Sequence, residues 1–160
     1  MYKHLGYVVA GVLSLMLLQG CTEQVDPAKI QADVTKAQAD GQKLIVDAQA
    51  KLDQVVAANN KDIVGSQADA QRAAATDPSA PPPAADEAVA KARQHAAVMV
   101  ADAQLEVDKA KAEAPYNVAV AQCGSQLSDA KKTCESQAKA TYDLAVAAAK
   151  TKHDQALVSH

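Results

Sequence analysis

Lys29, Lys36 and Lys43 fall seven residues apart, and so do Asp33, Asp40 and Asp47. A seven-residue period that sets each Lys four positions before an Asp has one simple geometry, an α-helix with charges on one side and a seam on the other. The seam is present. Ile30, Ala37 and Leu44 occupy one of its positions, and Val34, Gly41, Ala48 and Val55 the other. On a wheel of 100° per residue, Ile30, Val34, Gly41, Ile45, Ala48, Leu52, Val56 and Ile63 also share one stripe. Both patterns predict a helix over 27–74, about 70 Å long at 1.5 Å per residue. Asp26 is placed to cap it and Pro27 to open its first turn, while Gly41 and Gly65 weaken it by about 1 kcal/mol each relative to Ala. The charge repeat reads as a solvated face.

What packs against such a helix is limited by side-chain size. The chain of 160 residues holds 37 Ala and neither Phe nor Trp. From Cys21 onward there are 24 Ile, Leu, Val and Met, with Tyr116 and Tyr142 as the aromatic residues. Burial contributes roughly 25 cal/mol per Å², so a compact core of bulky side chains is excluded. Alanine is the best helix former, and the expected class is all-α: long alanine-rich amphipathic helices, hairpin or coiled-coil-like, packed closely at small residues.

Thr76-Asp77-Pro78-Ser79-Ala80-Pro81-Pro82-Pro83 interrupts the pattern, because consecutive prolines cannot lie inside a helix. Residues 76–85 therefore read as a Pro-rich linker, a passive spacer long enough for the next helix to fold back. Asp86 can cap that second helix. Its narrow seam is Val89, Ala92, Ala96, Val100, Ala103, Val107 and Ala110, and a second stripe carries Val98, Leu105, Tyr116, Cys123 and Leu127. Two apolar faces call for two neighbours. Pro115 predicts a kink or restart. A last helix is expected over 129–157, with Ala130, Cys134, Ala138, Thr141, Ala145 and Ala149 along one side and Tyr142 beside them.

Cys123 and Cys134 are eleven residues apart. In one continuous helix they would stand about 16 Å from each other, whereas a disulfide needs Cα atoms within roughly 7 Å. Gly124-Ser125-Gln126-Leu127-Ser128-Asp129 is the weakest helical stretch nearby, and Ser128 and Asp129 are both cap residues. A turn there would set the cysteines opposite each other across a hairpin, and a Cys123–Cys134 bond is expected in an oxidising compartment. Two free thiols or an intermolecular bridge are the alternatives; a metal site with His95 or His153 lacks a defined ligand spacing.

The first twenty residues read as an address. Met1-Tyr2-Lys3-His4 is a short positive start and Leu5 to Leu18 an uncharged apolar run, shorter than a membrane-spanning helix needs. It ends Leu17-Leu18-Gln19-Gly20-Cys21, which resembles the lipobox of bacterial lipoproteins. The resemblance implies a signal peptide over 1–20 and lipidation of Cys21 by several acyl chains such as palmitate, each buried CH₂ contributing about 0.8 kcal/mol to anchoring. Thr22 stands where an Asp would retain such a protein in the inner membrane, so an outer-membrane anchor on the periplasmic side is expected. Residues 21–75 then comprise a tether and the first helix, and residues 86–160 a helical hairpin. Loss of Lys3 with the leader leaves 15 basic against 19 acidic residues, a formal charge of −4.

Tyr116, Cys123, Leu127, Lys131 or Lys132, Cys134 and Ala138 also resemble a segment of exported, Ala- and Lys-rich proteobacterial proteins, in which a Tyr and a Cys pair precede an alanine-rich helix. Those proteins are largely uncharacterised, and the likeness implies a hairpin rather than an activity. The whole is similar in character to the alanine-rich murein lipoproteins, which form helical trimers. It departs from them in its Pro-rich break and in ending Leu157-Val158-Ser159-His160 without their C-terminal lysine.

Chemistry is otherwise sparse. Gly41, Gly65 and Gly124 are isolated, so no phosphate loop exists. His95 and His153 read as lone solvated residues, and Asp102 and Glu106, one turn apart, have nothing bulky near them to raise a pKa. No basic cluster recommends nucleic acid. Neither an enzyme nor a cofactor is expected. Two classes of function fit: an outer-membrane-anchored structural or interaction lipoprotein, self-associating or binding an envelope partner through its alanine seams, or a monomeric helical binding module of envelope-stress or inhibitor type.

Overall fold

The structure is a computed structural model that describes residues 25–76 and 83–159. It is all-α: 94% helical, with no strand among the described residues. Three helices follow in order, α1 (Pro27–Thr76), α2 (Pro83–Cys123) and α3 (Ser128–Val158). Cys21, its leader and linker residues 77–82 lie outside the described residues.

Helix α1 begins as its sequence dictates. The Asp26 carboxylate accepts the Ala28 N–H at 2.9 Å, and the Asp26 carbonyl accepts the Ile30 N–H at 3.1 Å. Lys29–Asp33 and Lys36–Asp40 form the ion pairs set by the repeat. The interhelical boundary differs from the expected one. Helix α1 includes Thr76 and α2 already starts at Pro83, so the break is shorter than 76–85. Proline is tolerated in a first turn, where its missing N–H would have had no partner. Asp86 consequently sits inside the first turn and complements the helix dipole rather than capping it.

Helix α2 lies in the middle, with α1 and α3 each packed against it and not on each other. Gly41 meets Ala114, Asn59 meets Ala96 and Ile30 reaches Gly124, which makes α1 antiparallel to α2 over almost its full length. Cys123–Cys134 and Tyr116–Tyr142 make α3 antiparallel to α2 in turn. The two neighbours required by the two-faced second helix are therefore both present. Its first seam, Val89 to Ala110, is covered throughout. Of its second stripe, Cys123 is buried and Leu105 and Tyr116 are half-buried, but Val98 and Leu127 are exposed. By the hairpin register α3 ends level with residues near Val98, so nothing covers that side chain.

The buried set is small side chains: Val34, Leu52, Ala96, Ala101, Val107, Ala110, Ala112, Ala114, Cys123 and Ala149, with Val107 and Cys123 fully enclosed. In α1 the buried residues follow the straight-helix stripe: Val34 and Gly41 belong to both patterns, but buried Leu52 belongs to that stripe alone. Val56, which only the straight-helix stripe includes, is exposed, while Asn59, which neither pattern included, is buried. At 100° per residue Asn59 falls on the same line as Gly41, five turns earlier, whereas Val56 lies about 60° off that line at the edge of the stripe.

Two further expectations are corrected. Helix α2 runs through Pro115 without a restart. Pro115 and Lys111 are both exposed, so the Lys111 carbonyl that loses its helical donor faces water. On α3 the covered side is Cys134, Ala138, Tyr142, Val146, Ala149, His153 and Ala156, whereas Ala130, Thr141 and Ala145 are exposed. Tyr142 rather than Thr141 takes the interface because its ring has a partner there, Tyr116, with centroids 5.1 Å apart.

Candidate functional site

Between α2 and α3 the chain turns through residues 124–127. The backbone N–H groups of Gly124, Ser125 and Gln126 donate to the carbonyls of Ala121, Gln122 and Cys123, winding the end of α2 into a tighter turn. A Cβ on Gly124 would lie 2.9 Å from Ile30 Cδ1, a side-chain end that can swing aside, and 3.0 Å from the Ala121 carbonyl oxygen of its own turn, which cannot. Neither Ser128 nor Asp129 caps α3. The N-cap is Leu127, without a side-chain hydrogen bond, and Ser128 takes a left-handed φ of 48°. This geometry sets the Cα atoms of Cys123 and Cys134 5.7 Å apart, and the two are joined as a disulfide. Both sulfurs are thereby consumed, and neither is left to bind a metal with His153.

The other end of the α2–α3 contact is polar. His153 is not solvated as its isolation in the sequence implies: its side chain is 14% exposed, lying against α2. Its Nε2 is 2.8 Å from Asp102 Oδ1 and its Nδ1 is 3.1 Å from Asp154 Oδ1. Hydrogen bonds to Asp102 and Asp154 raise its pKa above the usual value. One turn along, Asp108 receives the Lys152 ammonium at 2.8 Å and the Gln104 amide at 2.9 Å. Burial of the Asp108 carboxylate opposes its charge, but these donors outweigh burial and lower its pKa. Asp102 and Glu106, a carboxylate pair in sequence, are drawn apart: Glu106 pairs with Lys109 of its own helix at 2.6 Å. His95 is exposed on α2.

Where α1 passes the turn, an open trough of roughly 640 Å³ lies between α1 and α3 over the end of α2. Ile30, Val120 and Leu127 line it beside Lys29, Asp33, Lys131 and Glu135. Its lysines are paired with carboxylates on their own helices, Lys29 with Asp33 at 2.6 Å and Lys131 with Glu135 at 3.9 Å. That arrangement offers mixed charge at a surface and no converging nucleophile and base.

The outer side of α1 is a long surface without a partner among the described residues. Ala28, Ala32, Ala39, Val46, Ala50, Ala57, Val64, Ala68 and Ala75 recur at spacings of four, seven and seven, and at 100° per residue all fall within about 40° of one line. That line is on the side of α1 away from Gly41 and Asn59, and thus away from α2. Val46 is 53% exposed and Val64 62% exposed. Lys29, Lys36, Lys43, Lys61 and Arg72, with Asp47 among them, border the stripe on one side, and Gln31, Gln38, Gln49 and Gln67, with Asp53, on the other. The seven-residue charge repeat draws attention to the inner seam; the outer stripe repeats over 18 residues and becomes visible once the inner seam has been assigned.

Comparison with family models, curated proteins and solved structures finds no match to this chain.

Proposed function

We propose that this chain is a lipoprotein held to an outer membrane by acylated Cys21, on the periplasmic side, and that it serves a structural or protein-interaction role through its alanine-rich helices. The charged start, the apolar run and Leu17-Leu18-Gln19-Gly20-Cys21 support the anchor. So does the tether, since α1 begins at Pro27, six residues after Cys21. Among the described residues no helix is long and apolar enough to cross a membrane. Ile30 packs near Gly124, so the disulfide-closed turn would sit at the membrane end and the Pro-rich linker at the far end of α1, about 75 Å away for 50 residues.

The outer stripe of α1 carries the interaction role. The seams that first suggested association are occupied within the chain, α1 on α2 and α2 on α3, and this face is free among the described residues to receive another helix closely. In a parallel pair the mainly Lys/Arg border of one copy faces the mainly Gln border of the next, so the lysines do not oppose one another. Parallel is also the orientation that a common membrane anchor imposes.

The test is sedimentation equilibrium of residues 22–160 with and without reductant, for the natural sequence and for Val46→Lys/Val64→Lys. A concentration-dependent oligomer in both redox states, reduced to monomer by the two lysines with helical content unchanged, is the expected result. The second reading, a monomeric helical binding module, draws support from the docking of both α1 and α3 on α2 and from the trough beside Ile30 and Leu127. A monomer at every concentration would favour it. Separately, incorporation of labelled palmitate that is lost in Cys21→Ala checks the anchor.

A further inference from the structure

We propose that the far end of α3 is a pH-responsive latch on α2: His153, bridging Asp102 and Asp154, closes it when doubly protonated, and loss of that proton lets α3 lift from α2 while Cys123–Cys134 holds its other end.

Helix α3 is fixed unevenly. At its start the disulfide ties it covalently to α2, and Tyr116–Tyr142 follows two turns on. Ala149 is its one buried residue. Beyond Ala149 only His153 and Ala156 are partly covered, while Val158 is 88% exposed. The last turns therefore gain little from apolar burial and depend on two polar contacts, His153–Asp102 and Lys152–Asp108.

The chemistry of the first contact requires a charged ring. Each imidazole nitrogen faces a carboxylate oxygen, and an ionised carboxylate only accepts hydrogen bonds, so both nitrogens must carry hydrogen. A neutral ring donates from one nitrogen and turns the lone pair of the other toward a carboxylate. The charged groups around the ring are Asp102 and Asp108 from α2 and Lys152 and Asp154 from α3, with Lys152 already engaged by Asp108; α1 does not pack on α3 and contributes none. With the imidazolium these groups sum to one negative charge and without it to two. Lys111 of α2 also acts on Asp108 from outside the cluster, on the side away in sequence from the ring's partner Asp102, and the step of one charge on losing the proton is the same with it counted.

The direction follows from linkage. The pKa of His153 is raised in the folded chain from its ordinary value of 6.5. The contact is therefore fully present below that value and is lost as pH climbs through the raised one. Opening bares Leu105 and Ala112 on the second face of α2, while Tyr116 keeps its contact with Tyr142 beside the disulfide.

The test is hydrogen–deuterium exchange of the full chain at about pH 5 and about pH 8, corrected for the intrinsic pH dependence of exchange. Peptides from 145–158 are expected to lose protection several-fold at the higher pH, with α1 unchanged, and His153→Gln is expected to give the low protection at both. Protection in the natural chain that does not change with pH, or a His153→Gln chain that keeps the same pH dependence, would overturn the latch. Because His153→Gln could simply loosen α3, the ring is also titrated by NMR in Asp102→Asn. The His153 pKa is expected to fall toward its ordinary value there, and an unchanged pKa counts against the bridge.

Discussion

At the scale of single residues, the same substitution has opposite signs at two glycines of one helix. A Cβ on Gly65 meets nothing within 4 Å, whereas one on Gly41 would lie 2.8 Å from Ala114 Cβ and 3.1 Å from its Cα. Gly65→Ala is expected to stabilise the chain by about 1 kcal/mol, the helix-propensity difference alone. Gly41→Ala gains the same propensity but must separate α1 from α2 against a backbone that cannot yield. Overpacking of about 1–3 kcal/mol outweighs the gain, and a net loss is expected. Urea denaturation of both variants checks the pair of signs. Asn59 shows a different residue-scale constraint. Its Nδ2 donates to the Ala96 carbonyl at 3.3 Å from an otherwise apolar seam, and a polar residue there penalises every register that moves it off its acceptor.

At the scale of elements, each helix is marginal by itself and is stabilised by what it touches. Pro115 lies inside α2 yet α2 continues, so its cost is borne by the packing of Ala110, Ala112 and Ala114 on either neighbour. Pro115→Ala restores a donor for the Lys111 carbonyl at an exposed site. It is expected to stabilise the chain by up to about 3 kcal/mol, read as a rise in the thermal midpoint. Helix α3 depends on its covalent end. The disulfide closes a short loop, worth roughly 3 kcal/mol in chain entropy. Cys134→Ser is expected to destabilise α3 by about that much while leaving α1 packed on α2, which amide exchange measured helix by helix would show. Loss of protection in α1 as well would mean that the three helices unfold as one unit.

At the scale of the whole molecule, the fold is a long rod with one buried helix flanked by two, and its stability comes from close approach rather than bulk. Exposed i,i+4 ion pairs such as Lys139–Asp143 contribute little and are screened by salt. Association through the outer stripe of α1 would rest on Ala and Val contacts, so it is expected to persist in high salt. Sedimentation equilibrium at rising salt distinguishes it from association through the charged trough, which salt would weaken. The closure of α3 on α2, by contrast, is expected to weaken with salt as well as with pH, because Lys152–Asp108 and His153–Asp102 are its far contacts.

Local information in the chain was enough to determine the helices and one of their links. A seven-residue repeat sustained from Lys29 to Val55 can be satisfied only by a helix, a run of prolines at 81–83 cannot lie in the interior of one, and two cysteines either side of Gly124 can meet only if the chain reverses between them. Those features act over one turn or a few, where spacing alone carries the geometry. The tertiary structure decided what depends on partners distant in sequence. Whether α1 docks on α2, which side chain is buried at residues 56–59, and whether His153 meets water or Asp102 all turn on the relative placement of helices. An alanine seam tolerates many such placements almost equally, because its side chains carry little shape. The close approach at Gly41, the hydrogen bond of Asn59 and the polar contacts of Asp102 and Asp108 select one of them.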